Sequence, residues 1–246
     1  MTRKYRPRKK PFYKKPVFYK ILTLSISLFA LAYFFYFGPF FKISNIEIKS
    51  PKDLEGKFNA YLPFGKNFFL VSTSKVKNEI LKVFPQVEEI EIKKIFPNKI
   101  IFEAKKRKPF GILYFEDKIY LLDPNGFVFE RNENQNLKPK FVFRAEKIKP
   151  ILGKQILKEE VFRGIKEIID YLAKNEIKIA EIILNENKIT FVCQNAPRLY
   201  FSNESSIVLE GKVLYYFFEK YFEEFSPKEY IDFRFSAQEN GRIYFK

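Results

Sequence analysis

The chain has 246 residues, with 45 Lys and Arg against 29 Asp and Glu and a formal net charge of +16. It holds no His and one Cys, which excludes Ser-His-Asp and Cys-His nucleophilic machinery, His-ligated metal sites and any intrachain disulfide. No cofactor or metal centre is expected, and most hydrolase and metalloenzyme readings fall at this step.

Nine of the basic side chains, from Arg3 to Lys20, lie in residues 1–20 without a single acid; taking them away leaves +7, an ordinary mildly basic value. Pro7, Pro11 and Pro16 break helical structure there and like charges repel, so residues 1–20 read as a disordered basic tail. Ile21–Phe41 follows, 21 residues without a charge. At about 1.5 Å per residue, a helix of that length matches the hydrocarbon core of a bilayer. Tyr33 and Tyr36 with Phe34, Phe35 and Phe37 form an aromatic belt at its far end, and Gly38-Pro39 stops the helix. The A-x-A-like cleavage pattern of a signal peptide is absent there. Residues 21–41 are therefore expected to be a single uncleaved anchor. The positive-inside rule keeps the tail cytoplasmic and residues 42–246 outside, a single-pass type II arrangement. Interleaved Tyr and Phe in a basic tail would also suit nucleic acid. Beside an apolar span the tail reads instead as a topogenic signal that attracts anionic membrane lipid, by about 1 kcal/mol per basic residue near the surface. No nucleic-acid partner is expected.

Beyond the anchor, Ile43, Ile46 and Ile48 suggest a strand. Lys52–Leu62 reads as a weak helix closed by Pro63 and Gly65, and Phe68–Val71 as a short extended apolar run. Ser72 or Ser74 can cap a helix from Lys75 to Phe84, where Val76, Ile80, Leu81 and Phe84 recur at helical spacing and Pro85 ends the run. Val87–Lys94 and Lys99–Lys105 read as strands around the turn Phe96-Pro97-Asn98. The order strand, helix, helix, strand, strand lets a helix pair cover one face of a three-stranded sheet. Three stretches, Phe84-Pro85-Gln86-Val87, Lys94–Ile100 and Lys106-Arg107-Lys108-Pro109, resemble the signature of a POTRA module, with Lys106 where that family has Glu. Each proline also has a plain structural reading.

From Phe110 the pattern changes. Phe110–Phe115 and Lys118–Leu122 read as strands around Glu116-Asp117, and Asp123-Pro124-Asn125-Gly126 is a strong turn before Phe127–Glu130. Residues 131–150 are polar and poorly patterned, and no structure is assigned to 131–157. Lys158–Ala173 reads as an amphipathic helix. Ile177–Leu184, Lys188–Val192 and Arg198–Phe201 read as strands, followed by a helix over about Ser206–Phe225. Tyr230–Phe235 and Arg242–Phe245 read as two closing strands.

The elements Ile119–Gly126 and Tyr230-Ile231-Asp232-Phe233-Arg234-Phe235, behind an anchor and a POTRA-like module, resemble the FtsQ/DivIB family of cell-division proteins along essentially the whole chain. Lys138–Gly153 departs from the family pattern. The resemblance implies an α+β fold: a cytoplasmic tail (1–20), one transmembrane helix (21–41), a POTRA domain (42–109), and a β domain of mixed sheet with flanking helices (110–246). It implies a non-enzymatic scaffold of the division machinery, at the inner membrane and the septum. Such a protein recruits FtsB/FtsL-type partners by strand addition at its C-terminal sheet edge, with Arg234 and Phe235 in the binding region and further division components at the POTRA domain.

The residues suit that role. An edge strand offers main-chain donors and acceptors to a partner strand, an Arg pairs with a carboxylate, and a Phe gives apolar anchor area. Ile243 and Tyr244 on the closing strand extend the candidate surface. Asp232 is expected to make an ion pair or hydrogen bond within the sheet, and Phe233 to pack against the last helix. Cys193 reads as a buried structural thiol. Glu88-Glu89, Glu159-Glu160 and Glu223-Glu224 read as solvated positions, since adjacent residues do not face one another on a helix or strand. The run Lys105–Lys108 reads as a solvated strand exit. No small-molecule substrate is expected. Two other readings are a membrane-anchored cell-wall hydrolase acting through carboxylates and a POTRA chaperone of envelope assembly; the latter carries a large barrel, for which no residues remain after Lys246.

Overall fold

A computed structural model describes residues 11, 15–51, 54, 56–132, 140–194, 196–225, 229–238 and 241–246, with the backbone alone for 222–225. Most of the expected tail lies outside the described residues. The fold is α+β, with an apolar N-terminal helix, a POTRA domain and a mixed-sheet domain.

The first helix, α1, spans Pro16–Phe37 with none of its side chains buried. Among the described residues it is the one helix long and apolar enough to cross a bilayer. Pro16, expected to break helical structure, instead opens it: at the first helical position the missing N–H has no partner to lose and the fixed φ suits the helix. Gly38 ends α1, its N–H donating to the Phe34 carbonyl at 2.8 Å, and a 3-10 turn, Pro39–Phe41, follows.

The chain divides into two compact units, one of residues 1–80 with 90–104 and one of residues 81–89 with 105–246. Past α1, the elements are β1 (Asn45–Lys49), α2 (Thr73–Val83), β2 (Val87–Ile95) and β3 (Lys99–Lys106). They build a three-stranded sheet in the order β1-β3-β2. β1 runs parallel to β3, with Ile46 opposite Ile100 and Ile48 opposite Phe102. Ile43, Leu54, Phe58, Ile80, Ile90, Ile100 and Phe102 are fully buried in the first unit. Of the two candidate caps for α2, Ser72 serves: its Oγ accepts the Lys75 N–H at 3.4 Å.

Two expectations fail here. The helix over Lys52–Leu62 is absent from the described part, which holds turns and a 3-10 turn at Asn59–Tyr61. Gly56, at φ 85, takes a conformation no right-handed helix contains. Phe68–Val71 is turned, not extended. Asn67 is the cause: its Oδ1 accepts the Phe69 N–H at 2.8 Å and its carbonyl accepts those of Leu70 and Val71, at 3.1 and 3.2 Å.

The second unit contains β4 (Gly111–Phe115), β5 (Lys118–Leu122), β6 (Val128–Asn132), β7 (Phe141–Ala145), α3 (Glu159–Lys174), β8 (Ile179–Leu184), β9 (Lys188–Cys193), β10 (Arg198–Ser202), α4 (Ile207–Phe225), β11 (Tyr230–Asp232) and β12 (Tyr244–Phe245). They form a nine-stranded sheet in the order β12-β11-β10-β9-β8-β7-β4-β5-β6. β7 runs parallel to both β4 and β8, and β10 parallel to β11, while the hairpin neighbours are antiparallel. β7 lies within 131–157, a stretch too poorly patterned for a reading from sequence. Apolar residues of α3 and α4, among them Phe162, Ile165, Ile168, Ile207 and Leu214, share one core with Leu113, Phe143, Ile182, Phe191 and Phe201 of the sheet. Both helices therefore cover the same face. They approach closely at two glycines: a Cβ on Gly164 would lie 2.6 Å from Ile207 Cγ2, and one on Gly211 3.2 Å from Ile168 Cγ1.

The turn after β5 shows why its residues are Asp-Pro-Asn-Gly. Asp123 Oδ1 accepts the N–H groups of Asn125 and Phe127, at 2.8 and 2.9 Å. Gly126 sits at φ 74, where a Cβ would also strike the Phe162 ring. Asp123 is buried, and its Oδ2 accepts Arg107 Nη1 at 2.5 Å. The same guanidinium donates to the carbonyls of Pro85 (3.2 Å) and Val87 (3.3 Å) and stacks 4.2 Å from the Phe127 ring. Arg107 is thus not part of a solvated run. Four partners converge on it, and a planar guanidinium can serve them all at once.

Candidate functional site

The C-terminal edge of the large sheet is a corner assembled by β10, β11 and β12. Leu199 pairs with Ile231 and Tyr200 with Asp232 across the parallel β10–β11 ladder. Ile231 pairs with Phe245, and Asp232 with Tyr244, across the antiparallel β11–β12 ladder. β11 borders β12 on one side, and among the described strands none borders it on the other.

The expected strand Tyr230–Phe235 stops at Asp232, and a turn occupies 234–237. Asp232 bends the chain. Its Oδ1 accepts the Arg234 N–H at 3.1 Å, and both carboxylate oxygens engage the guanidinium, with Nε at 2.9 and 3.1 Å and Nη2 at 2.6 Å. A side chain that satisfies the backbone two residues on competes with strand continuation. Ser236 completes the turn, its N–H and hydroxyl both donating to the Phe233 carbonyl. The bonds to Asp232 hold the Arg234 guanidinium even more firmly protonated than an ordinary Arg. Phe233 is fully buried; its ring stacks on Phe201 at 5.2 Å and meets Phe217 of α4 edge-on at 5.8 Å.

Three of the four candidate binding residues share this corner. Phe235 and Tyr244 are 40% and 48% exposed, their rings in edge contact at 5.7 Å. The Arg234 guanidinium lies 5.5 Å from the Phe235 ring. The fourth, Ile243, is half-buried and packs against the core. Phe245, 54% exposed, adds apolar area at the same edge.

One residue that sequence reasoning passed over lies beneath. Glu210 of α4 is completely buried, and its carboxylate accepts the Ser202 N–H at 2.8 Å as well as the Ser202 hydroxyl. Ser206 donates in turn to Ser202 Oγ at 3.1 Å. Burial pushes the Glu210 carboxyl above its ordinary range, with the Asp232 charge adding to the rise and the Ser202 and Ser206 bonds opposing it. Glu210 thereby ties α4 to the end of β10. The signal was in the helical period, since Glu210 falls on the stripe of Ile207, Gly211 and Leu214 that faces the core.

The remaining candidates are placed apart from this corner. Cys193 ends β9, and burial pushes its thiol up to about 12, which keeps it from acting as a thiolate at neutral pH. Glu88, Glu89, Glu159 and Glu160 are exposed, and the side chains of Glu223 and Glu224 lie outside the described residues. Among the described residues no three His, Cys, Asp or Glu side chains are grouped to hold a metal ion.

Residues 41–103 match the family model for a POTRA domain of the FtsQ type. A cell division protein DivIB from Clostridium tetani (strain Massachusetts / E88) is 28% identical over 170 residues, 64% of this chain and 62% of the relative. The chain thus matches somewhat less than two thirds of that protein's length. The chain is therefore similar to FtsQ/DivIB-type cell-division proteins, in its POTRA domain and over 170 residues of this relative.

Proposed function

We propose that the protein is a non-enzymatic, membrane-anchored scaffold of the division machinery at the septum. In this reading α1 crosses the inner membrane with the basic tail in the cytoplasm. A POTRA domain over 42–109 and a β domain over 110–246 then lie outside. The β domain captures FtsB/FtsL-type partners by strand addition at β12. The single observation that carries this reading is the position of β12 at the margin of a nine-stranded sheet, with Phe235 and Tyr244 exposed beside it. A strand laid along such a margin gains main-chain hydrogen bonds, and exposed rings give it anchor points.

The ion pair to Asp232 makes the rings a cleaner target than Arg234. Phe235→Ala combined with Tyr244→Ala is expected to weaken capture of FtsB/FtsL-type partners by about 2 kcal/mol, roughly thirty-fold, while the circular-dichroism spectrum stays that of the parent. Pull-down at unchanged affinity would refute the site. A fluorescent fusion that fails to gather at the septum, or soluble fragments released from peptidoglycan by the purified chain, would refute the scaffold role.

A further inference from the structure

α1 passes into the first unit through one 3-10 turn and a β-bridge between Lys42 and Asn67. Asn67 Nδ2 donates to the carbonyls of Phe35 and Tyr36, both at 2.8 Å, and so caps the last turn of α1. A helix of 22 residues is about 33 Å long, so its last turn reaches the far interface of a bilayer whose core is about 30 Å thick. The loop that carries Asn67 is held at that level.

Around this junction the unit exposes rings that a water-facing surface does not need. Phe40, Phe69 and Phe96 are 56%, 49% and 63% exposed, and Leu70 57%. They form one patch: Phe41 lies 5.3 Å from Phe40, 5.2 Å from Phe69 and 6.0 Å from Phe96, and Phe69 lies 5.8 Å from Phe35 of α1. A shallow cleft of about 410 Å³, lined by Ala32, Phe35, Tyr36, Asn67, Phe69 and Leu70, carries the apolar surface onto the helix. Lysines adjoin the patch in sequence: Gly56–Asn78 contains four Lys and no acid, while Lys93 and Lys99 are paired with Glu91, Glu103 and Glu47. Lys42 and Lys66 are exposed. Aromatic rings bordered by lysines at the mouth of a bilayer-length helix match the composition of a membrane interface, where rings sit among headgroups and lysines meet phosphates.

We propose that this face of the POTRA domain, centred on Phe40, Phe69, Leu70 and Phe96, is seated in the headgroup region of the outer-facing leaflet, with Lys42 and Lys66 on lipid phosphates. The inference rests on the reading of α1 as a membrane span. Its continuity with that span selects lipid over a partner helix, which would fill the cleft beside Ala32 and leave Phe96 in water.

The chain contains no Trp, so one introduced indole reports alone. Full-length chains carrying Leu28→Trp, in α1, or Phe96→Trp, on the patch, are reconstituted into phosphatidylcholine–phosphatidylglycerol vesicles with brominated acyl chains. Emission at both positions is expected to fall about two-fold or more against unbrominated vesicles, and Phe69→Glu with Leu70→Glu to restore most of it at position 96. Quenching at position 28 without quenching at 96 overturns the inference and leaves the span intact. The absence of quenching at 28 overturns the span and the inference with it. Quenching at 96 that survives the two Glu substitutions overturns the assignment of this face.

Discussion

Arg107 shows how one side chain can be worth more than its charge. It pairs with the buried Asp123 while satisfying the carbonyls of Pro85 and Val87. Removing one member of a buried pair leaves the other charged and unsolvated. Arg107→Ala is therefore expected to lower the stability of the chain by about 3 kcal/mol in urea unfolding, and Arg107→Lys to recover only part, because an ammonium has no fork to reach several acceptors. Glu210 makes a different prediction. Its folded-state pKa is raised, above all by burial, so its contribution is complete below the ordinary Glu range and is lost as pH rises through the folded value. Glu210→Gln keeps the acceptor for the Ser202 N–H without the charge. The variant is expected to unfold at higher urea than the parent at neutral pH, with the difference shrinking toward pH 4; parallel pH profiles would contradict this. The sequence made Asp232 legible as an internal partner and Phe233 as a core ring. It did not show that Asp232 takes Arg234 as that partner, since a two-residue ion pair depends on a turn that strand alternation conceals.

At the scale of elements, α3 and α4 meet through glycines. The Cβ of Gly164→Val would lie inside contact distance of Ile207, so the helices must part or Ile207 must leave its rotamer. We expect a loss of about 2 kcal/mol from this overpacking, read by thermal or urea unfolding, with Gly211→Ala milder because its neighbour is a flexible Ile168 side chain. Long periodic elements were legible: α3, predicted over Lys158–Ala173, spans Glu159–Lys174, because seven buried positions at helical spacing leave little freedom. Short elements were not. β7 carries Phe141, Phe143 and Ala145 in alternation, but it sits in a polar stretch, and its pairing with β4 and β8 joins segments far apart in sequence. Nothing local specifies such pairing. Conversely, Leu54 and Phe58 are buried at helical spacing without a helix, because Gly56 turns the chain between them.

Over the whole molecule, hydropathy alone marked the apolar N-terminal helix, and motif order marked the two kinds of domain that follow it. What remained hidden was the joint between α1 and the POTRA domain, since it depends on one amide, Asn67, reaching 31 and 32 residues back along the chain. That joint has a mechanical consequence. A protein hung from its membrane on a loose string is indifferent to how the embedded part rolls. With α1 as the proposed span, a neighbour that twists it about its own axis swings the attached domain with it, and torque applied within the lipid is delivered on the far side.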